Sequence, residues 1–448
     1  MRSADFRTLL DRCPADVALF STYAFQPTYF ERSLLNSRAL ANARRIVVLM
    51  DGSQYHQLQR DVEPTQHLNH RYLLVPVFRK AGVFHPKLHL LASSTRAMVF
   101  CGSCNLTQPG CTHNLEMLNA IQIEVEEGQR APATVSLAQQ TLAFFEEAIG
   151  DSDSRAAKLA TDWLEDLKEE VAWLRSTTRQ RKVDGALRLV HSLGGAIWPQ
   201  IRERIGDGAV ERVTALSPFY DRELAVVKMM RDAWPDCEIR IVAQQHTSNL
   251  PTQMFRAFAP RPELFALTEH QERRLHAKVL TIETANRTYI VAGSANFTRQ
   301  AWDGTNVEAC LVWDTDEEVE SGLFDEALRL QRIAPENFAS GTEGPPAPDP
   351  QAEGGRLYLS EAVLESAGRI RIDYGMDSAL LGGEVTLRLY PAGRLDPLAA
   401  ACLVYALRCV CCCAPAPSQQ VPNQDRRGEI LVGQATVPAC YRAYAAEL

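Results

Sequence analysis

The stretch His85-Pro86-Lys87, followed by Gly102-Ser103-Cys104-Asn105, returns 191 residues later as His276-Ala277-Lys278, followed by Gly293-Ser294-Ala295-Asn296. In both copies the glycine lies 17 positions beyond the histidine. A single His-x-Lys triplet carries almost no information. Two in-register copies with the same downstream turn restrict the chain to a fold made by internal duplication, in which two halves build one pocket.

The surroundings of the two copies match. In the first half, residues 18–25 (ALFSTYAF), 45–50 (RIVVLM, closed by Asp51-Gly52) and 71–78 (RYLLVPVF) read as strands, with a helix expected over 29–43. Residues 88–92 and 98–101 flank Ser93-Ser94-Thr95-Arg96 as a hairpin. The second half repeats this order: a strand at 213–219, a helix at 222–234, a strand at 238–243, and a hairpin formed by 279–283 and 289–292. Alternating strands and helices predict an α/β fold with a mixed sheet in each half.

The expected organisation is a first repeat over 1–131, a helical connector over 132–205, a second repeat over 206–336, a linker over 337–355 and a small β-rich region over 356–448. In the connector, Leu159, Trp163, Leu167, Val171 and Leu174 follow helical spacing and should pack on the first half. The linker is rich in Pro and Gly (ASGTEGPPAPDPQAEGG). Cys409, Cys411, Cys412 and Cys413 lack a second pair at zinc-finger spacing and are read as thiols.

A phosphodiester resists attack because its oxygens are anionic and its alkoxide leaves poorly. A neutral imidazole can attack phosphorus, and a protonated one can donate to the departing oxygen. The ammonium groups of Lys87 and Lys278 would neutralise non-bridging oxygens, with Ser103, Ser294, Asn105 and Asn296 adding donors. Because His and Lys are two apart, an extended chain projects both from one face. Glycine at 102 and 293 would let the backbone approach a phosphate oxygen. Each half also carries an acid, Glu116 or Glu308, lying 31 and 32 residues past its histidine. A carboxylate accepting from one ring nitrogen would fix the tautomer; an ion pair confined to each half is the competing reading. His89 shares the face of His85 and Lys87 and is assigned to packing. The chemistry requires neither a metal nor another cofactor.

Charge and hydropathy narrow the partners. With 47 Lys and Arg against 55 Asp and Glu, the net charge is −8, which argues against a surface coated for duplex wrapping but leaves room for a local cationic cleft. No run of 18 apolar residues or secretion signal is visible, so a cytoplasmic protein without membrane association is expected.

The paired His-x-Lys and Gly-Ser-x-Asn motifs resemble those of the phospholipase D superfamily over roughly residues 15–335. Ser21-Thr22-Tyr23-Ala24-Phe25 and Ser217-Pro218-Phe219-Tyr220-Asp221 look like the openings of its two repeats. The resemblance implies two α/β/α repeats in one pseudo-twofold unit and a two-step reaction through a phosphohistidine. It makes His85 the nucleophile and His276 the general acid, with Lys87, Lys278, Asn105 and Asn296 gripping the phosphate. The superfamily's usual Asp five residues beyond the Lys is absent, since Ala92 and Glu283 stand there. The tyrosyl-DNA phosphodiesterase branch also lacks it, and the chain is similar to that branch and to bacterial nucleases. A nuclease acting on DNA in preference to RNA is the leading expectation, in a phage-defence setting and with protein partners in a defence complex. A monomer suffices to complete the pocket. The alternatives are a phospholipase or phosphatidyltransferase, and a catalytically weak nucleic-acid-binding subunit.

Overall fold

The computed structural model describes residues 5–342 apart from 62–64, 126–133, 151–153, 176–186, 207, 269–271 and 317–327; beyond 342 it describes six strands. In the first half, β1 (Val17–Thr22), β2 (Arg45–Asp51), β3 (Leu73–Val77), β4 (Leu88–Ala92), β5 (Arg96–Gly102) and β6 (Leu118–Glu124) form one sheet in the order β3-β2-β1-β4-β5-β6. The pairs β1–β2 and β2–β3 are parallel, whereas β1–β4, β4–β5 and β5–β6 are antiparallel. Both faces are covered, so the central strands read as continuous apolar runs. Val17 and Leu19 enter one core, while Ala18 and Phe20, with opposite parity, enter another.

The second sheet repeats that order. It contains β7 (Leu187–His191), β8 (Val210–Leu216), β9 (Glu238–Ala243), β10 (Glu263–Leu267), β11 (Val279–Thr284), β12 (Thr288–Gly293), β13 (Ala309–Thr315) and β14 (Leu330–Arg332). Its order is β14-β10-β9-β8-β11-β12-β13-β7. The run from β10 to β13 reproduces β3 to β6 of the first sheet, and β14 and β7 are added at the two edges. The duplication inferred from the motifs is therefore a duplication of topology.

Helices Val135–Gly150 and Arg155–Glu170 pack on the first sheet. Leu137, Leu142, Phe144 and Phe145 share a core with Val47, Leu49 and Val99, and each such buried side chain stabilises by about 1.5–3 kcal/mol. Val307, Ala309 and Leu311 of the second half enter the same core, so it bridges the halves.

Three local expectations need correction. The helix expected over 29–43 is one turn at Pro27–Tyr29 running into a π-helix at Phe30–Leu34. There the Asn36 side-chain amide donates to the Glu31 carbonyl at 3.0 Å, competing with the helical ladder. In the connector, Leu159 is 39% exposed, because the buried stripe runs Ala157, Ala160, Leu164 and Leu167. Nor is the connector helical throughout: Leu187–His191 is the edge strand β7, paired antiparallel with β13, before a helix at Ile197–Ile205. Leu189 and Val190 of that strand are buried in different cores, as a strand covered on both faces requires.

Beyond 342, strands Leu357–Leu364, Ile370–Met376 and Arg426–Val432 form one three-stranded sheet. Glu384–Pro391, Leu403–Ala406 and Tyr441–Glu447 form another, as the β-rich reading expected. The cysteines at 409 and 411–413, and all of 343–355 in the expected linker, lie outside the described residues.

Candidate active site

Each His-x-Lys pair lies in the extended segment that leads into a central strand, β4 or β11, rather than within the strand itself. A buried acceptor fixes each lead-in from below. The Asp51 carboxylate accepts from Phe84 N at 2.7 Å, and the Gln244 side-chain oxygen accepts from Leu275 N at 2.7 Å. These two residues end β2 and follow β9, equivalent places in the two sheets. Sequence reading had taken Asp51 only as the close of a strand.

Backbone hydrogen bonds then carry each lead-in to the opposite half. His85 N donates to Val307 O and Val307 N to Val83 O, both at 2.9 Å. Leu115 N donates to Arg274 O, and His276 N to Leu115 O, both at 2.8 Å. The Arg273 guanidinium adds bonds of 2.7 Å to His113 O and to Asn114 O. These reciprocal contacts form the seam and bring the acids to the histidines.

The acids pair across the halves. His85 Nδ1 lies 2.9 Å from Glu308 Oε2, and His276 Nδ1 lies 2.9 Å from both oxygens of Glu116. The competing reading of an ion pair confined to each half is thereby overturned. Two side chains sequence reading had aimed at the phosphate serve these pairs instead: Ser103 Oγ donates to Glu116 and Ser294 Oγ donates to Glu308. Each hydroxyl also accepts from the next strand at 3.0 Å, from Met117 N and Ala309 N. The glycines before them leave room for that strand rather than for a phosphate. A Cβ at Gly102 would sit 2.2 Å from Met117 O, and one at Gly293 would sit 2.3 Å from Ala309 O.

Lys87 and Lys278 are buried, and each ammonium donates to the carbonyl of its own histidine, at 2.7 Å for Lys87. Asn105 Oδ1 accepts from Ala24 N and from Thr22 Oγ1, both at 3.3 Å, which fixes its amide beside β1. Asn296 is buried with its Oδ1 unpartnered. Aromatic rings flank the imidazoles: Tyr23 lies 5.3 Å from His85 and Phe219 lies 6.4 Å from His276, centroid to centroid. Tyr23 and Phe219 each stand two residues beyond the serine that opens their repeat, a match that could have flagged them. His89 packs among Phe6, Phe20 and Phe100, outside the centre. Glu283 pairs with Arg212 at 2.9 Å at the far end of its strand and does not replace the missing Asp.

The electrostatics are unequal in the two halves. Burial holds His85 well below the ordinary imidazole range, and the charges of Lys87, Lys278 and His276 push it further. Burial lifts Glu308 to about 8 despite the opposing lysines. Burial would also raise Glu116, but His276, Lys278 and Ser103 outweigh it and keep that carboxyl below its usual range. His276 is lowered by burial and partly restored by Glu116. Burial lowers Lys278 to about 8 and Lys87 well below the ordinary lysine range, with Glu116 and Glu308 opposing in both cases. The His276 pair thus keeps an ionised carboxylate, whereas the His85 pair is held near neutrality.

A separate cavity of about 560 Å³ is lined by Tyr220, Asp221, Asn249 and Arg299 among others; none of the six His, Lys and Asn residues lines it. Among the described residues no cluster of His, Cys, Asp and Glu is arranged to hold a metal ion, and no helix is long and apolar enough to cross a membrane.

Residues 205–323 match the family model described as "Cardiolipin synthase, PLD-like domain". No curated protein matches the chain. Among solved structures it is similar to yeast tyrosyl-DNA phosphodiesterase, at 11% identity over 69% of this chain and 88% of that one, with a TM-score of 0.44. It is also similar to Nuc, a phospholipase D family member from Salmonella typhimurium, at 19% identity over 33% and 97% of the two chains, with a TM-score of 0.23. A third is polyphosphate kinase from Porphyromonas gingivalis, at 10% identity over 76% and 49%, with a TM-score of 0.43. The second repeat carries the family match, and the first repeats its strand order and motif. The chain therefore carries a phospholipase D-like domain over residues 205–323.

Proposed function

We propose that this chain is a nuclease that cleaves DNA in preference to RNA through a phosphohistidine, without recourse to a metal ion. The observation that carries the reading is the pair of His–Glu contacts crossing the seam, with two buried ammonium groups beside them. Ser294 Oγ and the His85 ring both meet Glu308 Oε2, so that oxygen accepts and Nδ1 donates. The lone pair is then on Nε2, which is buried without a partner. His85, kept neutral by burial, attacks phosphorus through Nε2 as the bond to the leaving oxygen breaks. The leaving oxygen takes a proton from His276, which the ionised Glu116 equips to carry one. Water then gives its proton to the neutral His276 and attacks the phosphohistidine, and the nitrogen–phosphorus bond breaks to restore His85. Lys87, Lys278, Asn105 and Asn296 hold the non-bridging oxygens, supplying the charge a metal ion would otherwise bring. A phage-defence setting follows from the resemblance, and a cytoplasmic location from a sequence with no visible secretion signal or membrane-length apolar run.

Incubation of the protein with labelled single-stranded and duplex DNA and RNA in EDTA tests this reading. Cleavage with a covalent phosphoryl adduct mapped to His85, and none with His85→Ala, is the expected result. Equal cleavage by His85→Ala would sink it. The likeness of residues 205–323 to a cardiolipin synthase domain favours one competitor, phosphatidyl transfer. Headgroup release from liposomes with nucleic acid left intact would establish that reading instead.

A further inference from the structure

The lead-ins to the two motifs differ in charge, with Arg273 and Arg274 standing where the first repeat has Gly82 and Val83. Arg274 precedes His276 by two positions, and the matching position 191 residues earlier is Val83, which is 1% exposed. Arg274 is half-buried, and its guanidinium carbon lies 5.7 Å from the centre of the Phe219 ring. That ring in turn meets the His276 imidazole edge-on at 6.4 Å. Its neighbour Arg273 donates to the carbonyls of His113 and Asn114 and closes the seam, whereas Arg274 packs its guanidinium on the ring beside His276. The positive charge of Arg274 also helps hold down the ammonium of the buried Lys278. A fixed guanidinium at the rim of a phosphate centre, backed by an aromatic face, is a phosphate receptor.

We propose that Arg274, held by Phe219, binds the phosphodiester next to the scissile one on the leaving-group side. This rests on the nuclease reading with His276 as the acid. The substrate is then a polynucleotide whose departing piece retains a phosphate of its own, not a strand end bearing a single small adduct. Val83 offers no counterpart, so the His85 side makes no such demand.

The test uses an oligonucleotide with one cleavable linkage and a neutral methylphosphonate replacing the neighbouring phosphate, on either side in turn. On the leaving-group side the replacement should cost the wild type about 10- to 100-fold in kcat/KM, the range for one charged hydrogen-bonded contact. Arg274→Ala should lose a similar factor on the all-phosphate strand and less than about threefold more from the replacement. Arg274→Lys should recover part of the loss. The loss from Arg274→Ala should be at least about tenfold smaller on bis(p-nitrophenyl) phosphate, which has no neighbouring phosphate. Equal sensitivity of wild type and Arg274→Ala to the replacement, or sensitivity only on the other side, overturns the subsite. Turnover of bis(p-nitrophenyl) phosphate with no oligonucleotide cleaved by the wild type overturns the nuclease reading and the subsite with it.

Discussion

Glu116→Gln isolates the crossing contact on the acid side. The substitution keeps the size of the side chain and removes the charge that meets His276 Nδ1 at 2.9 Å. Burial already depresses the imidazole and Glu116 is the main influence opposing it, so the variant must push His276 lower still. A charged hydrogen bond of this kind is worth about 1.5–3 kcal/mol, equivalent to about one to two pKa units. The sign follows from the role. His276 must be protonated to release the leaving group, so its limb of the pH–rate profile falls as pH rises through its pKa. In Glu116→Gln that fall should begin about one to two units earlier, costing about 10- to 100-fold at pH 8 and much less in acid. With p-nitrophenyl as a leaving group that needs no proton, the first step should be nearly spared. Phosphohistidine should then accumulate, because the weakened His276 is a poorer base for the second step. Stopped-flow release of p-nitrophenol and acid-quench trapping would measure both. An alkaline limb left in place, or a loss equal at every pH, would refute His276 as the acid acting through Glu116.

The remaining predictions concern the frame. His89 is buried among three phenylalanine rings with neither ring nitrogen hydrogen-bonded, and burial lowers its pKa from 6.5 to about 3. The unfolded imidazole binds a proton below about pH 6.5 while the native one does not until about pH 3, so stability is lost as pH falls through that window. His89→Leu should raise stability by about 1–3 kcal/mol at pH 7, leave cleavage intact and reduce the acid slope by about 1.4 kcal/mol per pH unit; urea titrations at pH 5 and 7 decide it. Gly293→Ala places a Cβ 2.3 Å from Ala309 O and should displace Ser294 from Glu308. It should cost at least about 2 kcal/mol of stability and most of the activity, and wild-type melting and turnover would show the glycine to be dispensable.

What the sequence disclosed depended on how local the signal was. The His-x-Lys pairs and the Gly-Ser-x-Asn turns were legible because alternation along an extended chain puts His and Lys on one face. The strands were legible because short runs such as RIVVLM and EIRIVA are dominated by apolar strand-forming residues. The partners of the acids were not: Glu116 and Glu308 follow their own histidines at nearly equal spacing, and only the docking of the halves exchanges them. Arg274 departs from the repeat, where Val83 stands, whereas Phe219 matches Tyr23 in position and could have been found from that match. The strand Leu187–His191 was missed because it is short and pairs with β13, more than a hundred residues ahead. Leu159 misled because it sits one position off the true stripe.

The exchanged acids also govern when the enzyme can arm itself. His85 leaves the ribosome 223 residues before the carboxylate that orients it, and Glu116 emerges 160 residues ahead of the ring it serves. On the proposed roles, a nascent or truncated chain ending before residue 308 holds a complete first motif and lacks the carboxylate that orients His85. Both crossing contacts can therefore form only once Glu308, the last of the four residues in the chain, has been made and docked.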